Sequence, residues 1–112
     1  MYASQLSLVS SGTIDEIESL FLVHRFTEAL ARCEEELVQC FNFNMKSIGN
    51  TPVTDQHLVD ASIRLVSLVI QILYELKRSS EIMPFVINFY GGLEHVPFGI
   101  IYMWYVKQKR QQ

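Results

Sequence analysis

The sequence predicts an all-α fold, a short right-handed α-solenoid of helical hairpins with about five helices. Three observations predict it. One phrase occurs twice, first as Leu20-Phe21-Leu22-Val23-His24-Arg25-Phe26-Thr27-Glu28-Ala29-Leu30, then as Leu73-Tyr74-Glu75-Leu76-Lys77-Arg78-Ser79-Ser80-Glu81-Ile82-Met83. In each, an apolar run meets a basic pair, then a hydroxyl residue (after Phe26 in the first copy), a glutamate and a new apolar run. A helix that ends, turns a charged corner and restarts reads this way. Apolar residues also recur at helical spacing along most of the chain. Finally, 49% of the 112 residues are hydrophobic, enough for a core and too many for a disordered chain.

This length allows one domain. The expected organisation is a flexible N-terminal arm over 1–12, a helical domain over 13–108 and a basic tail over 109–112.

The elements follow in order. Thr13 can cap a first helix over about 14–23, with Glu16 completing a capping box. Ile14, Ile17, Leu20, Phe21 and Val23 supply its apolar stripe. The chain turns at His24-Arg25. Thr27 can cap a second helix over about 28–41, whose Glu34-Glu35-Glu36 run faces solvent. Residues 42–53 hold the turn formers Asn42, Asn44, Gly49, Asn50 and Pro52 and make a long loop.

Thr54 can cap a third helix over about 55–76. Its apolar positions run nearly all round the cylinder, the mark of a central helix. β-Branched residues over Ile63–Ile72 also suit a strand, but the length without Gly or Pro decides for helix. Ser79 or Ser80 starts a fourth helix over about 80–90. Pro84 is tolerated in its first turn, and Gly91-Gly92 stops it. Pro97 opens a fifth helix over about 98–108, expected to pack back on the fourth, with a strand as the alternative for its aromatic run. Apolar surface is expected around Ile101–Val106.

The formal net charge of -3 leaves no broad basic field for nucleic acid. Residues 13–40 carry seven acids against Arg25 and Arg32, while the C-terminal end carries Lys107, Lys109 and Arg110, read as a solvated tail. Tyr102, Trp104 and Tyr105 beside those cations come nearest to an RNA platform, but helix packing explains the aromatics better. Cys33 and Cys40 lie two turns apart on one helix, roughly 10 Å along its axis. That is too far for a disulfide, so two free thiols in a reducing compartment are expected. Met1–Gly12 lacks the basic start and long apolar stretch of a secretory signal. Ile63–Leu73 and Phe98–Val106 are too short to span a bilayer.

Signals for chemistry are sparse. Gly91-Gly92 is followed by no Gly-Lys-Ser or Gly-Lys-Thr, so it is a helix stop and not a phosphate loop. His24, His57 and His95 share no metal-ligand spacing with the cysteines. Neighbouring glutamates on a wet surface do not make a catalytic acid–base pair. The expectation is a non-enzymatic protein with no catalytic residue, cofactor, metal or small-molecule substrate.

The stretch Leu20-Phe21-Leu22-Val23-His24-Arg25-Phe26-Thr27-Glu28-Ala29-Leu30-Ala31-Arg32-Cys33-Glu34 resembles the cytosolic domain of the peroxisome assembly protein 26 (peroxin-26) family. The resemblance resumes at Val69-Ile70-Gln71, continues through Glu75-Leu76-Lys77-Arg78 to Val86-Ile87-Asn88-Phe89-Tyr90, and keeps a proline at Pro97. It covers about 80 of the 112 residues in two blocks. It implies an α-helical adapter in peroxisome biogenesis and matrix protein import. Such an adapter recruits the peroxin-1/peroxin-6 AAA ATPase to the cytosolic face of the peroxisomal membrane through the peroxin-6 subunit. It also implies partner-binding roles for Leu20, Phe21, Arg25, Arg78 and Tyr90. The residues alone offer Leu20 and Phe21 a place in the core, and Arg78 a bond to helix-end carbonyls, Glu75 or Glu81.

Family members are about three times as long and end in a transmembrane tail anchor. This chain, ending soon after Lys107-Gln108-Lys109-Arg110, is therefore expected to be a fragment or a short relative, cytosolic by itself. A generic tetratricopeptide-like scaffold for a peptide or helix is the alternative. The two corners stand 53 residues apart, Leu20 to Leu73, where that repeat would give about 34.

Overall fold

Five α-helices carry the fold of the computed structural model, which describes residues 10–110. They are α1 (Ser11–Leu22), α2 (Phe26–Phe41), α3 (Gln56–Glu75), α4 (Ile82–Tyr90) and α5 (Phe98–Arg110). Short 3-10 turns at Ser79–Glu81 and Leu93–His95 precede α4 and α5. There is no strand among the described residues, so Ile63–Ile72 and the aromatic run of α5 are both helical. Of the expected N-terminal arm, Ser11 and Gly12 belong to α1, and the rest before Ser10 lies outside the described residues. α5 runs through Lys109 and Arg110, two residues of the expected tail.

The caps fall at other residues than the sequence suggests. Ser10, not Thr13, caps α1, its Oγ accepting the Thr13 N–H at 3.1 Å. Thr13 thus lies inside the first turn, and the helix passes through Gly12. Asp55, not Thr54, caps α3, accepting the N–H groups of His57 at 2.8 Å and Leu58 at 3.4 Å. Arg25 precedes α2 without any side-chain cap, and Thr27 is a residue of the helix itself. Pro84 sits in the first turn of α4, where its missing N–H costs nothing. Gly91 ends α4 at φ 87°, with its N–H on the Ile87 carbonyl at 2.8 Å.

α3 touches all four other helices. Leu65, Val66, Val69, Ile70, Ile72 and Leu73 along it are without solvent exposure. The helix is 20 residues long, longer than the 63–73 stretch, and is the one described helix long and apolar enough to cross a membrane. Burial of half of its apolar window against its neighbours accounts for the composition.

The long loop after α2 is packed. Asn42 leaves the helix in the left-handed region, and Phe43 then turns inward to meet Phe89, ring centroids 5.1 Å apart. Phe41 and Phe85 complete the aromatic cluster. Val53 donates its N–H to the Phe89 carbonyl at 2.8 Å, and the Asn50 amide ties the Asn44 and Ser47 carbonyls together.

α5 does not pack on α4 as its sequence suggests. Gly91 and Gly92, both at positive φ, and the turn at Leu93–His95 carry the chain across to α3 instead. Lys107 Nζ lies over the Tyr74 ring of α3, 4.8 Å from its centroid. Only Ile100 of α5 is buried. An apolar groove of about 320 Å3 remains between α4 and α5, reaching Ile101 and Trp104 of the expected exposed stretch.

Candidate functional site

The repeated phrase folds into the same corner twice. At the end of α1, His24 adopts a left-handed conformation, φ 63°. Its N–H reaches the Phe21 carbonyl at 3.0 Å, and the Arg25 N–H reaches the Leu20 carbonyl at 2.9 Å. At the end of α3, Lys77 takes φ 64°, its N–H bonds the Tyr74 carbonyl at 3.1 Å, and the Arg78 N–H bonds Leu73 at 2.8 Å. Both corners are Schellman motifs that satisfy orphan carbonyls at a helix end. The 53-residue step relates every position of one to the other.

Each corner then closes on an ion pair. Arg25 Nη2 lies 2.6 Å from Glu28 Oε1. Arg78 makes a forked pair with Glu81, Nε to Oε2 at 2.6 Å and Nη2 to Oε1 at 2.8 Å. The mutual hydrogen bond raises the Arg78 pKa and lowers that of Glu81. The glutamate of the repeated phrase therefore serves its own arginine. Both pairs are exposed, Arg25 more so at 62% against 43% for Arg78.

The two corners differ in their apolar surface. At the first, Leu22 and Val23 stand 74% and 65% exposed. Behind them Leu20 and Phe21 are half-buried, with Phe21 edge-on to Phe26 at 5.4 Å and His24 stacked on Phe26 at 5.3 Å. A shallow depression of about 390 Å3 runs beside Leu20 and Val23 between Glu16, Glu28 and Arg32. Glu75 takes the place of Leu22 at the second corner, and Leu76, in place of Val23, is half-buried.

Leu20, Phe21 and Arg25 thus come together at the first corner. Arg78 stands at the second, held by Glu81. Tyr90 is fully buried at the far end of α4, and this corrects its expected role as a contact residue. Its hydroxyl lies 2.7 Å from Ser62 Oγ, itself buried and 2.7 Å from the Val59 carbonyl. Since Ser62 donates to Val59, Tyr90 donates to Ser62. Burial pushes the Tyr90 pKa up to about 12. The apolar spacing of α4 already places Tyr90 with Ile82, Val86 and Phe89 on the inner face. The sequence reading also missed Leu22 and Val23 as bare surface, although the adjacent corner residues signal a helix end where side chains leave the core.

Cys33 and Cys40 are free and buried. Burial, helped by nearby glutamates, raises the Cys33 thiol to about 12 and Cys40 to about 11. Among the described residues no three His, Cys, Asp or Glu side chains gather in a metal-binding arrangement. Compared with known proteins, the chain matches no family model, no curated protein and no solved structure.

Proposed function

We propose that this domain is a non-enzymatic adapter that docks the peroxin-6 subunit of the peroxin-1/peroxin-6 AAA ATPase through the α1–α2 corner. The observation that carries the reading is the bare Leu22–Val23 pair set beside Arg25, in the first of the two blocks that resemble the peroxin-26 family. An apolar knob with an arginine at its side suits protein recognition, where aliphatic area gives affinity and a guanidinium gives direction. By the same resemblance the proposed place of action is the cytosolic face of the peroxisomal membrane, and the chemistry is the motor's own. The adapter would contribute position, raising the motor's effective concentration at the membrane. Two tandem hairpins with matching corners favour reading the fold as a short right-handed solenoid. Their 53-residue step speaks against an ordinary tetratricopeptide array.

Binding of the folded chain to the peroxin-6 N-terminal region, followed by fluorescence anisotropy, tests the reading. The expected result is binding at micromolar concentration, weakened at least tenfold by Leu22→Glu. Absence of binding by correctly folded protein at that concentration defeats it.

A further inference from the structure

The α1–α2 hairpin and the C-terminal helix are opposite in net charge, and apolar surface is exposed at both. The α1–α2 hairpin holds seven acids against two arginines. From Pro97 to Arg110 there are three cations, Lys107, Lys109 and Arg110, and no acid. Arg25, Arg32, Arg64 and Arg78 each have a carboxylate within ion-pair distance. Among the described residues the C-terminal cations have none, and Lys107 and Lys109 lie over tyrosine rings instead.

The apolar features are a knob at the α1–α2 corner and a groove between α4 and α5. Leu22 and Val23 project from the acidic hairpin. The groove between α4 and α5 is lined by buried Val86, Val96 and Ile100 and by the more accessible Leu93, Ile101 and Trp104. Its 320 Å3 exceeds the volume of one leucine and one valine side chain together, and its lining offers no polar surface that a ligand headgroup could bond.

We propose that the occupant of this groove is a second copy of the chain. Leu22 and Val23 of one molecule seat between α4 and α5 of the next, with the acidic hairpin of the first against Lys107, Lys109 and Arg110 of the second. Charge selects this pairing. A hairpin-to-hairpin dimer sets one net-acidic element against another, and a groove-to-groove dimer sets cation against cation, both opposed by like-charge repulsion. Made once between each pair of molecules, this contact is heterologous and leaves a free knob and a free groove on the outer molecules, so assembly continues as concentration rises. The inference does not depend on which motor subunit, if any, the corner also binds.

Sedimentation velocity of the 112-residue chain between about 1 µM and 1 mM tests it. The expected result is a weight-average mass that climbs past the dimer and falls back in high salt, which screens exposed charges. Leu22→Glu and Leu93→Glu alter exposed side chains on opposite sides of the contact and leave the core intact. Each alone is expected to weaken association at least tenfold. Mixed in equal amounts they form dimers and nothing larger, because each supplies the patch the other lacks. A chain that stays monomeric throughout overturns the proposal. So does association that neither variant weakens, or a mixture that stays as dissociated as its components.

Discussion

At the scale of single residues, the hairpin corners carry strain that the sequence does not need for folding. His24 and Lys77 hold a left-handed conformation in which a Cβ crowds the following carbonyl, and glycine is the usual occupant of that position. Replacing either by glycine removes the crowding at the cost of some unfolded-chain entropy. His24→Gly and Lys77→Gly are each expected to stabilise the fold by about 0.5–1 kcal/mol, read as a higher urea midpoint at unchanged m-value. The Ser62–Tyr90 bond makes an asymmetric pair. Tyr90→Phe leaves Ser62 still donating to Val59 and is expected to cost about 1 kcal/mol. Ser62→Ala strands a buried phenol O–H and is expected to cost more, about 1–3 kcal/mol. The double variant should cost less than the two single changes together, a coupling that a double-mutant cycle in urea measures.

The same buried groups set the alkaline limit of the fold. Cys33 rises from 9.0 to about 12, Cys40 from 9.0 to about 11, and Tyr90 from 10.0 to about 12. Below pH 9 the folded and unfolded chains both keep these protons, so their contribution is fully present. Above it the unfolded chain releases protons that the folded chain retains, so stability falls as pH rises towards 12. The urea midpoint is therefore expected to begin dropping just above pH 9. In the Cys33→Ala/Cys40→Ala double variant the drop should begin about one unit higher, where tyrosine alone remains.

At the scale of elements, what could be read from the sequence depended on how many residues shared a signal. The central helix was legible because apolar residues surround it over five turns, a pattern no loop or half-buried strand produces. The corners were legible because the same phrase recurs in the same order. Caps were less so, since Ser10 and Thr13, or Thr54 and Asp55, are equally able to accept an amide N–H. Which one does so is set by where the backbone leaves the helix, a property of φ and ψ. Asp55→Ala is expected to cost about 1 kcal/mol by leaving the first amides of α3 unbonded, while Thr54→Ala should change stability by less than about 0.5 kcal/mol. Thermal unfolding of the two variants distinguishes the true cap. The docking of α5 was illegible for a related reason. Its apolar residues announce a helix in contact with something, but the direction it takes is fixed by two glycine dihedrals, φ 87° and 141°.

At the scale of the whole molecule, the candidate site was half visible. Leu20, Phe21 and Arg25 belong to one surface because they are neighbours in sequence around a helix end. Arg78 and Tyr90 required knowledge of tertiary partners, Glu81 for one and Ser62 for the other, that no spacing rule supplies. The bare Leu22–Val23 pair is the feature common to both proposed contacts, with the motor subunit and with a second copy, and a single knob cannot serve two partners at once. The two associations should therefore exclude each other, while the groove matters only for the second. Leu93→Glu is expected to weaken self-association at least tenfold and leave affinity for the peroxin-6 N-terminal region within about twofold of the parent, whereas Leu22→Glu should weaken both at least tenfold. Adding that region to concentrated chain should also lower the mass of chain-only oligomers, since each occupied corner terminates a stack. Anisotropy and sedimentation on the same three proteins separate these outcomes, and a Leu93→Glu chain that loses the motor subunit as fully as Leu22→Glu does would show that the two surfaces are not independent.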